Sequence, residues 1–167
     1  YTAQLPDKGP FVIRYPRGRG VLADWHCELE EVKVGTGRKL HDGKDVAVLS
    51  FGPVGNNVEE AIEMMETSTP QLSIAHYDMR FVKPLDTEIL KGVAQQFDRI
   101  ITIEDGAREG GFGSAVLEWL EDNGYRKNVV RLGLPDHFVE HGTVAELQHI
   151  VGIDAEGIIE AVNDIIK

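Results

Sequence analysis

The stretch "VAVLSFGPVGNNVEEAIEMM" (46–65) decides the fold class. Val46 to Phe51 form a strand-length run in which only Ser50 is polar. Such a run suits a strand covered on both faces, because a half-exposed strand would alternate. Two glycines and a proline then turn the chain. Val58, Ala61, Ile62 and Met65 follow at the i, i+3, i+4, i+7 spacing of one helix face, with Asn57 and Glu60 reading as its cap pair. "SFGPVGNN" (50–57) lacks both the GxGxxG pattern and the Gly-Lys-Ser/Thr ending of a phosphate loop, so it reads as a strand-to-helix turn.

The pattern repeats downstream. "LSIAHYD" (72–78), "RIITIE" (99–104) and "VVRLGL" (129–134) are further apolar runs of strand length. Helical stripes lie between and after them: Ile89, Leu90, Val93, Ala94 and Phe97 behind Asp86 as N-cap, then Ala115, Val116, Trp119 and Leu120, then Ile158, Ile159, Val162, Ile165 and Ile166. Thr143 and Glu146 form a capping box for a short extra helix. Strand and helix in alternation predict βαβ units, hence an α/β fold with a mainly parallel sheet and helices on both faces. Upstream, "FVIRY" (11–15) reads as a short strand and "ELEEVKVG" (28–35) as an edge strand or hairpin arm, whereas "GTGRKLHDGKD" (35–45) is turn-rich.

Composition narrows the function. The 167 residues carry a formal net charge of -11, which argues against nucleic acid or an anionic membrane as the main partner. No apolar run is long enough to span a bilayer, and no signal peptide is visible. The single cysteine, Cys27, excludes an internal disulfide and suits a reducing cytoplasmic setting. The chain opens Tyr1-Thr2-Ala3 without methionine, as expected of a trimmed or partial polypeptide.

Four stretches invite a chemical reading. In "RYPRGRG" (14–20), Pro16 ends an extended segment, and Arg14 and Arg17 stand where guanidinium forks can meet a phosphate or carboxylate; arginines lying over a sheet edge are the alternative. "EDGAREGGFGSAV" (104–116) places charges and glycines at a strand's carboxyl end, where open α/β sheets bind ligands, although the glycines equally suit close helix packing. "DMRFVKPLD" (78–86) puts Arg80 and Lys83 past a strand end, either as a positive rim or, the simpler reading, as a loop leading into the next helix. "HFVEH" (137–141) matches H-x-x-E-H, but Pro135 before it and the Thr143 cap after it start the helix too late to bring both histidines to one face. No metal site is expected there.

"GPFVIRYPRGRG" (9–20), "DMRFVKPLD", "TIEDGAREGGFGSAVLEWL" (102–120) and "LGLPDHFVEHG" (132–142), in this order, resemble the C-terminal part of the 1-deoxy-D-xylulose-5-phosphate synthase family, which is thiamine-diphosphate-dependent and transketolase-like. The resemblance covers nearly the whole chain. It implies a three-layer α/β/α sandwich whose five-stranded, mostly parallel sheet has one antiparallel edge strand. It also implies domains: residues 1–22 as the tail of a pyrimidine-binding domain, 23–43 as a linker or edge segment, and 44–167 as the transketolase-like C-terminal domain. The implied activity condenses pyruvate with glyceraldehyde 3-phosphate, with loss of carbon dioxide, toward isoprenoid, thiamine and pyridoxal precursors. The implied enzyme is a cytoplasmic homodimeric transferase using thiamine diphosphate and Mg2+.

Residue by residue, the resemblance assigns Arg17 to the phosphate pocket for glyceraldehyde 3-phosphate, with Arg14 in a supporting role. The family's Gly-Asp-Gly metal motif, its cofactor-activating acid and its proton-handling histidines find no match here. The expectation is therefore a piece that holds no catalytic, metal or cofactor residue, is inactive alone and works with the remaining domains of its enzyme. The resemblance also turns the glycines of 104–116 toward packing and helix entry. A second reading stays open: a non-catalytic α/β module or subunit that binds an anionic metabolite.

Overall fold

The computed structural model describes residues 1–13, 15, 20–21, 24 and 26–167. These fall into two compact units, Tyr1–Val34 and Gly35–Lys167. In the first, one 3₁₀ turn covers Thr2–Gln4, and the buried Thr2 hydroxyl accepts the Val32 N–H at 2.8 Å. Lys8 pairs with Glu31. Phe11–Ile13 and Glu28–Val34 belong to no strand, so the two strands expected there do not form among the described residues.

The second unit is a five-stranded sheet in the order β1-β3-β2-β4-β5. Its strands are β1 (Arg38–His41), β2 (Val46–Phe51), β3 (Ile74–Asp78), β4 (Arg99–Ala107) and β5 (Asn128–Leu134). β1 runs antiparallel to β3 at the edge, and the other pairs are parallel. The edge strand thus lies inside the stretch read as turn-rich, and the compact unit that contains it starts at Gly35. Its strand character comes from partners and not from an apolar pattern: Arg38 pairs with Asp78, and the Lys39 ammonium sits 5.5 Å from the Tyr77 ring centre.

The helices are α1 (Gly55–Ser68), α2 (Thr87–Gln96), α3 (Phe112–Asp122), α4 (Val144–Ile150) and α5 (Ala155–Ile165). On one face of the sheet Val46 and Val48 pack with Val58, Ile62 and Met65 of α1 and Ile158 and Val162 of α5. On the other, Ala47 and Leu49 pack with Leu90 and Val93 of α2 and Phe112 and Val116 of α3. β2 is therefore apolar on both sides, and three layers result. Asp86 caps α2 through the Glu88 and Ile89 N–H groups, and Thr143 with Glu146 closes the capping box of α4. The expected cap pair of α1 is a correction. That helix starts earlier, at Gly55, and Asn57 instead donates to the Ile153 carbonyl at 2.8 Å.

Candidate functional site

Adjacent parallel strands β2 and β4 send their following helices to opposite faces, so their carboxyl ends form the crevice where α/β sheets usually take a ligand. Here the protein fills that crevice itself. Phe51 stacks on Phe112 with ring centres 5.6 Å apart. Glu104, only 5% exposed, turns its carboxylate into the first turn of α3, accepting the Phe112 N–H at 2.8 Å and the Gly113 N–H at 2.9 Å. A helix N-terminus attracts an anion through its unpaired N–H groups and dipole. Glu104 is that anion. Gly111 and Gly113 allow the close approach: a Cβ on Gly113 would lie 2.5 Å from Thr102 Oγ1. The "EDGAREGGFG" edge is thus built for packing and helix entry.

The end of β3 is different. Asp78 Oδ2 accepts from Arg38 Nε at 3.0 Å and lies 3.9 Å from Arg80 Nε, while Asp78 Oδ1 accepts the Arg80 N–H at 3.2 Å. Arg80 has a φ of 56°, in the left-handed region that a non-glycine residue enters at a cost. One carboxylate between two guanidinium groups leaves Arg38, Asp78 and Arg80 with one positive charge in excess at the end of β3, and Lys83 is exposed nearby in sequence. Such an edge can meet a carboxylate or phosphate with a planar fork. The loop reading that the sequence favoured holds at its far end, where Asp86 caps α2, while its near end keeps two guanidinium groups beside Asp78.

Beneath it lies a relay with no sequence motif. His76 of β3 is completely buried. Its Nε2 lies 2.8 Å from Ser50 Oγ at the end of β2, and its Nδ1 pairs with the Glu59 carboxylate on α1. A carboxylate only accepts, so Nδ1 carries the proton and Nε2 accepts the Ser50 O–H. Burial pushes His76 below the usual histidine range; Glu59 and Asp78 pull the other way, and His41 adds to the lowering. The unfolded chain then binds the proton more tightly, so this contribution to stability is complete above about pH 6.5 and is lost as pH falls toward the folded value. The melting temperature of this chain is expected to drop between pH 7 and 5, and to drop less in His76→Gln. Equal slopes for the two proteins would show that His76 does not titrate in this way.

The remaining sequence candidates resolve simply. Arg14 and Arg17 lie outside the described residues. His137 and His141 sit in the loop ahead of α4, so no helix brings them to one face. His149, Asp154 and Glu156 bring ligand atoms within 4.8 Å of one another, but Asp154 is already engaged as the N-cap of α5 through the Gly157 N–H at 2.9 Å. No helix among the described residues is long and apolar enough to cross a membrane.

Comparison with known proteins adds to this geometry. The family described as "Transketolase, C-terminal domain" matches residues 35–158. The 1-deoxy-D-xylulose-5-phosphate synthase of Bacteroides thetaiotaomicron is 60% identical over 158 residues, covering 95% of this chain and 24% of that protein. The synthase of Phocaeicola vulgatus is 57% identical, with 95% and 25% covered. The chain spans about a quarter of the length of these curated relatives. Among solved structures, a split gene transketolase, described as an inactive beta4 tetramer, superposes with a TM-score of 0.75 at 31% identity, covering 82% of this chain and 44% of that one.

Proposed function

The chain belongs to the transketolase C-terminal domain family, and from that premise we propose that it is the C-terminal part of a 1-deoxy-D-xylulose-5-phosphate synthase. The observation that carries the proposal is the 60% identity to such a synthase through 95% of this chain. In this reading residues 1–22 are the tail of the pyrimidine-binding domain, a connecting segment begins at 23, and the compact unit from Gly35 is the third domain. The complete enzyme is a cytoplasmic homodimer that condenses pyruvate with glyceraldehyde 3-phosphate. Fully exposed Phe138 and exposed Ile150 border one groove of about 480 Å³. They suit a surface covered by another part of that assembly.

Thiamine diphosphate supplies the carbanion chemistry when bound in the complete enzyme. Of the two helix entrances at the crevice, that of α3 is already occupied by Glu104, and that of α1 has no acidic residue in its first turn to hold the Mg2+ that a diphosphate needs. We therefore place the cofactor and Mg2+ on other domains and expect this chain alone to form no product.

Arg17, with Arg14 in support, is proposed to hold the phosphate of glyceraldehyde 3-phosphate, and the strained, strand-end Arg80 to face an anionic group of a substrate. In the complete synthase, Arg17→Ala is expected to raise the KM of glyceraldehyde 3-phosphate about tenfold or more. Arg80→Ala is expected to raise the KM of at least one of the two anionic substrates by about as much. Either variant leaving both KM values unchanged removes that residue from the reading. A thermal shift of the isolated chain with phosphorylated metabolites would instead favour a regulatory, metabolite-binding module.

A further inference from the structure

We propose that the Glu59–His76–Ser50 relay is a positioning device that holds the strand end presenting Arg80; the proposal rests on the reading of Arg80 as an anion contact. The link runs through the backbone. Ser50 is the register partner of Asp78, and its carbonyl accepts the N–H of Met79, the residue between Asp78 and Arg80, at 2.9 Å. The Ser50 side chain is in turn held by His76, and His76 by Glu59. Among the described residues the Ser50 hydroxyl has one further acceptor in reach, the Tyr77 carbonyl at 3.5 Å, a weak contact. Three elements, β2, β3 and α1, are thereby tied at one point directly behind the left-handed Arg80.

Left-handed backbone at a non-glycine residue persists only where the surroundings over-determine it. A buried polar chain gives that rigidity when each member is satisfied. Hydroxyl, imidazole and carboxylate in this order also activate serine nucleophiles, but only where a substrate reaches the hydroxyl. Ser50 is 1% exposed, so its relay acts on the protein and not on a substrate. Ser50, His76 and Glu59 are positioning residues.

The test uses the complete synthase carrying Ser50→Ala, Glu59→Ala, Glu59→Gln or Arg80→Ala, with amide hydrogen exchange and both substrate KM values as readouts. Ser50→Ala and Glu59→Ala are expected to speed exchange at Met79 and Arg80 by about tenfold, above any change elsewhere in the sheet. The same two variants are expected to raise the KM that Arg80→Ala raises by about threefold to tenfold, with kcat within about twofold. Glu59→Gln keeps an acceptor for Nδ1 and is expected to change exchange by less than about threefold. Unchanged exchange in Ser50→Ala, or a rise spread evenly over the sheet, overturns the relay even where Arg80→Ala behaves as expected. Unchanged KM values in Arg80→Ala overturn the anion reading instead, while local exchange in Ser50→Ala still decides the positioning.

Discussion

Glu104→Ala is expected to cost about 3 kcal/mol of folding stability, because each hydrogen bond to a buried charge contributes roughly 1.5–3 kcal/mol and two are lost together. The carboxylate is 5% exposed and accepts two N–H groups at the start of α3. Truncation leaves both donors without a partner, in a space closed by Phe51 and Phe112. The helix also loses the negative charge that opposes its dipole. Glu104→Gln is expected to recover only part of the loss, since one amide end accepts while the other presents donors to a donor. Urea unfolding decides the matter: the midpoint should fall with an unchanged m-value. A loss below about 1 kcal/mol would mean that water reaches the helix entrance, and the crevice would not be filled as described.

Gly111→Ala is expected to be at least as damaging, by about 3 kcal/mol or more, for a steric reason. A Cβ at this position would lie 2.1 Å from the Ala107 carbonyl oxygen and 2.3 Å from Glu104 Oε2. The carbonyl ends β4, and the carboxylate is committed to α3, so neither yields cheaply. Gly110 next to it is the control. It has a φ of 74° and open space around the missing Cβ, so Gly110→Ala is expected to cost only about 1 kcal/mol of backbone strain. Combining Gly111→Ala with Glu104→Ala should cost less than the two separately, because they share one contact. Near-equal effects of the two alanine substitutions at 110 and 111 would count against the tight packing.

Both sites were visible in the sequence only as an ambiguity. "EDGAREGGFG" announces a strand end and a helix start, and such an edge suits a ligand as well as it suits packing. Nothing in the letters says that Glu104 folds back onto Phe112 and Gly113. The cap of α1 failed for a related reason: Asn57 had the right residue type, but the Ile153 carbonyl, remote in sequence, claimed its side chain. The antiparallel edge strand was expected from the resemblance, but its place was not, because "RKLH" has no apolar pattern of its own and is a strand by virtue of β3.

The sequence by itself determined the four parallel strands, the helix faces between them and the caps at Asp86 and Thr143. Those signals are local: covering both sides of a strand demands an unbroken apolar run, and a cap acts within one helical turn. The motif order also carried the resemblance from which Arg17 and Arg14 follow. Only the tertiary structure decided where the edge strand lies, the self-filled crevice, the left-handed Arg80 and the Glu59–His76–Ser50 relay. Each depends on which residues meet when β2, β3 and α1 are laid side by side, and hydrogen bonds between residues far apart in the chain leave no periodic trace in it.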